Sequence, residues 1–174
     1  AEFGRTMKAD VGRAERREAA ARTMSFFNGF LPNLGVFPET APAIEAAYLD
    51  MIEALDEHFQ WHPYLLGGRP SCADFGMMAP LFAHLGRDPV PAGIMKAKAP
   101  NLFRWTERMN SAPITDGEYP NYNDRYTESD TVPETLEAVM KIVFADWLPG
   151  LIVDAHCFND WSADKPKGEI VSGS

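Results

Sequence analysis

Two histidines four positions apart are the residues of this chain whose spacing best suits a metal ion. His58 and His62 follow Asp56 and Glu57 in the chain, and side chains at i and i+4 share one face of a helix. A protein zinc site needs a third ligand, however, and none stands at a suitable spacing. Pro63 also indicates that the helix ends before His62. We therefore predict no metal ligands and place His58 at the surface; a metal carrier built on this pair stays a weak alternative.

The two cysteines are the candidates for thiol chemistry. Cys72 lies in the first turn of a predicted helix, where the positive end of the helix dipole favours a thiolate. No histidine or lysine adjoins it in the sequence, so we predict a structural role for Cys72, and Cys157 is predicted to be a small hydrophobic residue on an apolar helix. The absence of CxxC spacing argues against a disulfide framework or a zinc ribbon and favours a reducing, cytoplasmic location.

Ser71 and Asp74 have the spacing of a helix capping box. The Ser71 side chain can accept a hydrogen bond from the amide of Asp74, while the Asp74 carboxylate accepts one from the amide of Ser71. No histidine stands at a supporting position in the sequence, and the cap accounts for both residues. We therefore predict a structural cap here rather than catalytic residues.

The elements that must hold these residues are helices. Apolar residues recur at helical spacing through most of the chain and no region alternates with period two, so the predicted fold class is all-α. The pattern predicts about six helices, which run from Asp10 to about Asn28, from Thr40 to Phe59, from Ser71 to Leu85, from Ala92 to Lys98, from Pro100 to Asn110 and from Pro133 to Trp161.

Three of these helices carry further predictions. Asp10 is predicted to cap the first one. The helix that begins at Ser71 is apolar nearly all round and bears no charge until Arg87, so we expect it to be central and buried among the others. Pro149-Gly150 is expected to kink or interrupt the last helix.

Length and composition fit one soluble domain. The chain has 174 residues, of which 45% are hydrophobic, enough for a core without disulfides. Its formal net charge of −9 disfavours nucleic acid as a partner, because a phosphate backbone repels an acidic protein. No uncharged apolar stretch reaches the roughly 18 residues that a membrane span needs. We predict a cloning remnant or linker over residues 1–9, the helical domain over residues 10–161 and a flexible tail over residues 162–174.

A polar loop with three tyrosines is predicted over residues 111–131. Tyr119, Tyr122 and Tyr126 either offer their hydroxyls to a ligand or hold the loop on the body of the domain with their rings. We favour the second interpretation.

A cluster of aromatic residues ends the first helix. Phe26, Phe27 and Phe30, with Met24, either line an apolar pocket or belong to the core. Three aromatic residues this close in sequence cannot share one helix face, so at least one of them, Phe27 or Phe30, is expected to point away from the core.

Two segments carry a resemblance to the C-terminal domain of the glutathione S-transferase family. LLGGRPSCADF, residues 65–75, resembles the start of the central helix of that domain, where a Gly-x-x-[Ser/Thr]-x-x-Asp cap follows a short hairpin of chain. APNLFRWTERM, residues 99–109, is similar to the Pro-Asn-[aliphatic]-x-x-Trp-x-x-Arg-Met helix of the family, and FFNGFLPNLG, residues 26–35, looks like the end of its first C-domain helix. The resemblance covers residues 10–109 and is loose from residue 111 onward.

The resemblance implies a domain that shapes the apolar second-substrate site, chiefly with Phe27, Asn28, Phe30 and Leu31, and that presents helix surfaces to a partner in a homodimer. The substrate implied is a hydrophobic electrophilic small molecule. Glutathione is implied as the co-substrate, bound mainly by a thioredoxin-like domain that family members place before this one. No residue before Asp10 can form that domain, so we expect no catalytic residue in this chain and little activity from it alone.

Two functional hypotheses from different classes therefore remain open. In the first, the full-length protein adds the glutathione thiolate to an electrophile or carries out a glutathione-dependent reduction, and this chain is a part of it. In the second, the chain is a non-catalytic protein-interaction module, since the same helical fold also serves to build complexes. Whether the protein is an enzyme depends on the thioredoxin-like domain.

Overall fold

A computed structural model describes residues 8–111, 119, 121–166 and 168. The prediction of an all-α fold is confirmed, because the described residues form no β-strand and hold only isolated bridges from Gly67 to Tyr64 and Tyr126. A π-helical segment, Ala79–Leu85, continues the third α-helix, and 3-10 turns cover Pro32–Leu34 and Glu128–Asp130. The α-helices of the described residues are α1 (Arg13–Asn28), α2 (Ala41–Trp61), α3 (Cys72–Met78), α4 (Pro89–Lys98), α5 (Pro100–Ser111) and α6 (Glu134–Ser162).

The chain divides into two compact units, Ala1–Ala46 and Ala47–Ser174, with the boundary inside α2. In the first unit, α1 begins after Gly12, whose backbone is extended and which supplies no side-chain cap. The prediction that Asp10 caps this helix is wrong, since the helix starts two residues too late for it. None of the described residues of this unit is buried, so no apolar core of its own holds it together.

The second unit has a hydrophobic core. The ring of Phe59 on α2 stacks on that of Trp105 on α5, with 4.8 Å between ring centroids. A fully buried side chain of this kind stabilises a fold by roughly 1.5–3 kcal/mol. The buried apolar residues of the core are Ile52, Leu55, Phe59, Tyr64, Leu65, Leu81, Met95, Ala99, Leu102, Trp105, Leu136 and Val139.

A carboxylate on α2 caps the start of α5. Pro100 occupies the first turn of α5, and Ala99 before it has no side chain that can accept a hydrogen bond. Instead Asp56 Oδ1 accepts from the amides of Asn101 at 2.6 Å and Leu102 at 3.1 Å. Exposed N–H groups at a helix start need such acceptors, so this contact fixes α5 against α2.

The helix that begins after Ser71 is less buried than its composition predicts. Asp74 and Leu81 are buried, but Phe75 is 64% exposed. The core is built mainly by α2, α5, the start of α6 and the connection after α2, and α3 reaches it through its packing on α5. Met77 and Met78 pack against the core, whereas Phe75 faces outward.

The last helix is continuous. Of the predicted kink or interruption at Pro149-Gly150, the interruption is wrong, because α6 runs from Glu134 to Ser162 with Pro149 inside it. Proline removes one backbone hydrogen bond, and the helix continues on both sides of it. Only Leu136 and Val139 of α6 are buried.

The remaining boundaries differ little from the predictions. Helix α4 begins at Pro89, three residues before the predicted start, with Asp88 at its N-cap position. Within the described part of the chain, no helix has both the length and the apolar character that would let it cross a membrane. Most of the predicted tail, residues 167 and 169–174, lies outside the described residues.

The connection between α2 and α3 lies against the loop that precedes α6. The amide of Gly68 donates to the carbonyl of Arg125 at 2.7 Å, and that of Thr127 donates to the carbonyl of Leu66 at 2.9 Å. A Cβ atom on Gly68 would stand 1.7 Å from the carbonyl oxygen of Asn123. The contact therefore requires a residue without a side chain at position 68.

We predict that Gly68→Ala lowers the free energy of unfolding by about 2 kcal/mol or more, because the loop backbone must move to admit the methyl group. Gly76→Ala is the matched control, since nothing lies within 4 Å of its Cβ position. In the middle of α3 the same change should stabilise by about 0.5–1 kcal/mol. Urea unfolding measures the free energy of unfolding of both variants, and equal changes would contradict the close contact between Gly68 and the loop.

Candidate functional site

The carboxylate of Asp74 is the centre of a buried hydrogen-bond network. Its Oδ1 accepts from the amide of Leu65 at 3.0 Å and from the indole Nε1 of Trp105 at 3.1 Å. Its Oδ2 accepts from the amide of Ser71 at 2.8 Å and from the Ser71 hydroxyl at 2.7 Å. Together with the return bond from the Asp74 amide to the Ser71 hydroxyl, these contacts form a capping box.

This network holds structure rather than performing chemistry. Asp74 is fully buried and Ser71 nearly so, so no substrate can reach either residue. The sequence spacing of Ser71 and Asp74 gives the local half of the network. The bonds to Leu65 and Trp105 come from other elements, and no local pattern indicates them.

His58 and His62 lie together at the end of α2, and the prediction that His58 is a surface residue is wrong. His58 is fully buried, and its ring stacks on that of His62 with 4.8 Å between centroids. Nε2 of His58 lies 3.3 Å from the carbonyl oxygen of Tyr64, and Nδ1 lies 2.9 Å from the hydroxyl of Thr135 on α6. A carbonyl only accepts, so a neutral His58 carries its proton on Nε2 and accepts at Nδ1 from Thr135.

Burial is the main electrostatic influence on this pair. Burial, with a smaller contribution from the neighbouring His62, lowers the pKa of His58 from 6.5 to about 4, while the hydrogen bond to Tyr64 opposes both. Burial also lowers the pKa of His62. Both imidazoles therefore favour the neutral form in the folded chain.

The three tyrosines of the 111–131 loop all hydrogen-bond to the body of the second unit. The Tyr122 hydroxyl donates to Nδ1 of His62, and the Tyr119 hydroxyl donates to the carbonyl of Phe59. The Tyr126 hydroxyl donates to the carbonyl of Pro70 at 3.1 Å. Residues 112–118 and 120 of the predicted loop lie outside the described residues.

A buried arginine secures the same region. Arg108 donates through Nε and Nη2 to the carbonyl of Pro63, at 3.2 and 3.0 Å. Its guanidinium also lies 5.0 Å from the ring centroid of Tyr119 and 5.8 Å from that of Tyr64. Such contacts combine charge and ring stacking, so Arg108 joins α5 to the 62–70 connection and to the loop.

The aromatic residues at the end of α1 form an exposed apolar surface in the first unit. Phe26 makes edge-to-face contacts with Phe27 and Phe30, at centroid distances of 5.7 and 5.0 Å. Phe27 is 51% exposed and Phe30 is 46% exposed. Asn28, the last residue of the helix, and Leu31 after it are exposed as well.

This surface offers apolar contacts but no reactive group. It combines two aromatic rings, an aliphatic side chain and one amide, which suits an apolar molecule that carries a polar group. It holds no thiol, imidazole or carboxylate that could act as a nucleophile or base. We call Phe27, Asn28, Phe30 and Leu31 the α1 surface.

Thiols and metal ligands are scattered over the described residues. Cys72 and Cys157 are both free and exposed. Among the described residues no group of three or more histidine, cysteine, aspartate or glutamate side chains could hold a metal ion. Both ring nitrogens of His58 already have protein partners, which leaves the two-histidine metal hypothesis without structural support.

Comparison with known families agrees with this architecture. The family model described as glutathione S-transferase, C-terminal domain, matches residues 14–108, which is more than half of the chain and includes Ser71, Asp74, Trp105 and Arg108. The chain belongs to this family, as its sequence motifs predict. No curated protein and no solved structure matches it.

Removing the central carboxylate should cost much more than removing the local cap. Asp74→Ala leaves the buried donors of Leu65, Ser71 and Trp105 unpaired, and we expect it to lower the free energy of unfolding by about 3 kcal/mol or more. Ser71→Ala removes one cap acceptor and should cost about 1 kcal/mol. Asp50→Ala, at an exposed carboxylate on α2, is the control for charge. Losses of similar size at positions 71 and 74 would show that Asp74 acts as a local cap only.

Stability should fall in mild acid because of His58. In the unfolded chain His58 takes up a proton near the ordinary histidine pKa of 6.5, whereas in the folded chain its pKa is about 4. The unfolded state therefore binds more protons in this window, and the stability of the fold drops as the pH falls through it, by about 2–3 kcal/mol in total. His58→Gln, which keeps a donor and an acceptor but does not titrate, should flatten the profile. His156→Gln, at an exposed position, should not, and an unchanged profile in His58→Gln would exclude His58 as the cause.

Proposed function

We propose that this chain is the second-substrate-binding domain of a glutathione S-transferase-like protein, with the α1 surface as its contribution to the site. Two observations support this proposal. The chain belongs to the C-terminal domain family of these proteins, and the α1 surface is exposed and apolar. Exposed apolar patches of this kind commonly bind ligands or partners.

In this proposal the chain binds and orients a hydrophobic electrophile while another domain supplies the nucleophile. Glutathione is the co-substrate, held mainly by a thioredoxin-like domain, where its thiol becomes a thiolate. The full-length protein then adds that thiolate to the electrophile or uses it in a reduction, and works as a homodimer in the cytoplasm. The α1 surface raises the local concentration of the electrophile and limits the orientations in which it meets the thiolate.

The size of the α1 surface sets the expected affinity. About half of each ring of Phe27 and Phe30 is open, which is roughly 100 Å² per ring, or about 2.5 kcal/mol each when a ligand covers it. Association costs several kcal/mol of lost freedom. Binding of an electrophile to this chain alone should therefore be weak, with a Kd well above about 1 mM.

A second candidate function is a non-catalytic interaction module with the same helical fold. The specific observation in its favour is α6, in which every residue from Phe144 to Trp161 is exposed. Glutathione-agarose retention together with thiol conjugation by the full-length protein separates the two functions. Retention together with turnover would exclude the interaction module. A full-length protein that shows no retention and no turnover would exclude the transferase.

We predict that 1-chloro-2,4-dinitrobenzene, titrated into the labelled chain, shifts the backbone amide resonances of residues 26–31. Phe30→Ser should weaken this binding about tenfold, because the ring supplies a large part of the contact. Phe75→Ser is the matched control, since Phe75 is a phenylalanine on α3 of the second unit that is more exposed than Phe30, at 64% against 46%. Shifts confined to the second unit, or equal losses in both variants, would contradict the assignment of the α1 surface.

A further inference from the structure

The distal part of α6 carries a seam of apolar residues with the spacing of a coiled coil. Successive members are separated by four and three residues in strict alternation over three heptads. Six of the seven positions are apolar and one is an aspartate. The seam consists of Met140, Phe144, Trp147, Leu151, Asp154, Phe158 and Trp161.

Within the described residues of the second unit, no other helix covers this seam. Leu136 and Val139, at the start of α6, are buried in the core, but the six apolar members of the seam are between 36% and 57% exposed. A helix with a 3.5-residue apolar repeat stabilises itself by packing the repeat on another helix. The seam therefore lacks the contact that its sequence favours.

We propose that the seam docks on the same seam of a second copy of this chain, in an antiparallel pair whose twofold axis passes beside Pro149. The proposed function already includes a homodimer, and this inference goes beyond it by naming the helix, the direction and the register of one contact; it does not depend on the transferase activity. Neither glutathione nor the α1 surface takes part in the contact. Most soluble oligomers are symmetric homo-oligomers, and a twofold contact uses one surface twice.

The charge of Asp154 favours one direction and one register for the two α6 helices. In a parallel pair it would face Asp154 of the partner subunit directly, which is unfavourable. In an antiparallel pair centred on Pro149, Leu151 faces Trp147 of the partner subunit and Phe158 faces Met140 of the partner subunit. The two Asp154 carboxylates then lie about 15 Å apart along the axis.

The same register provides a positive charge for Asp154. The residue opposite it is Phe144 of the partner subunit, and Lys141 of the partner subunit lies one helical turn, about 4.5 Å, further along. A lysine side chain is long enough to reach from there. In the antiparallel register shifted by half a heptad, Lys141 is about 15 Å away and the two Asp154 residues are in adjacent layers, so the register at Pro149 is favoured.

The area of the seam is sufficient for a dimer of modest affinity. With roughly 200 Å² for a large apolar side chain, the exposed fractions amount to about 500 Å² per copy. The two copies together then bury about 1,000 Å², the lower limit for a specific interface. Gly150 beside the seam has nothing within 4 Å of its Cβ position, so the two helices can approach closely near the axis.

Sedimentation equilibrium of the 174-residue chain over a concentration series tests the proposal. We expect a reversible monomer–dimer equilibrium in the micromolar range. Trp147→Glu should weaken it about tenfold or more, since aromatic residues dominate such contacts. Ile152→Glu, at an exposed position on the opposite side of α6, should leave it unchanged. A chain that stays monomeric at several hundred micromolar, or a dimer that Trp147→Glu does not weaken, overturns the proposal.

Cysteine cross-linking then tests the direction of the pair. In a background with Cys72→Ser and Cys157→Ser, Leu148→Cys lies beside the twofold axis of the antiparallel pair and should form an intermolecular disulfide under mild oxidation. Asp154→Cys should not, because its copies are too far apart in that pair, whereas a parallel pair would bring them together. Cross-linking at position 154 and not at position 148 overturns the antiparallel arrangement. Circular dichroism of every variant confirms that the helices are intact.

Discussion

The hydrogen bonds of one buried carboxylate, that of Asp74, join the parts of the second unit. A charge in an apolar interior is tolerated only when hydrogen bonds replace its water, and Asp74 meets this condition with four donors from three parts of the chain. Those donors fix where α3 begins, how the 62–70 connection runs back over it and which way the indole of Trp105 points. The ring of Trp105 then stacks on Phe59 of α2, so the polar network and the apolar core share a residue.

Four further polar side chains extend this framework across the second unit. Asp56, His58, His62 and Arg108 tie α2 to α5, to the 62–70 connection and to the loop before α6. Their polar groups are engaged with one another and with the backbone. Among the described residues, the end of α1 and the distal part of α6 each carry a group of exposed apolar side chains. This distribution is compatible with the proposed binding role, in which another domain would supply the thiolate.

The sequence predicts the local features of this structure and misses those that depend on distant residues. Helical periodicity finds the helices, and the spacing of Ser71 and Asp74 finds the capping box, because both are set within a few residues. The burial of His58 depends on Thr135, 77 positions away, and the cap of α5 depends on Asp56. A signal for the latter did exist, since Ala99 before Pro100 cannot cap a helix. The sequence does not predict which apolar side chains of α3 are exposed, because composition does not show which face of an apolar helix packs on the core. It also does not predict that α6 continues through Pro149, because the loss of one backbone hydrogen bond does not end a long helix. The role of the α1 surface rests on family membership and its exposure.

Hydrogen exchange of the donors around Asp74 tests most directly whether its carboxylate holds the second unit together. We predict that the amides of Leu65 and Ser71 and the indole Nε1–H of Trp105 exchange with the same opening free energy. That energy should equal the free energy of global unfolding and fall with urea at the global slope, because the network can open only when the unit unfolds. Separate opening energies well below the global value, with little dependence on urea, would mean that these bonds break locally and that the core stands without them.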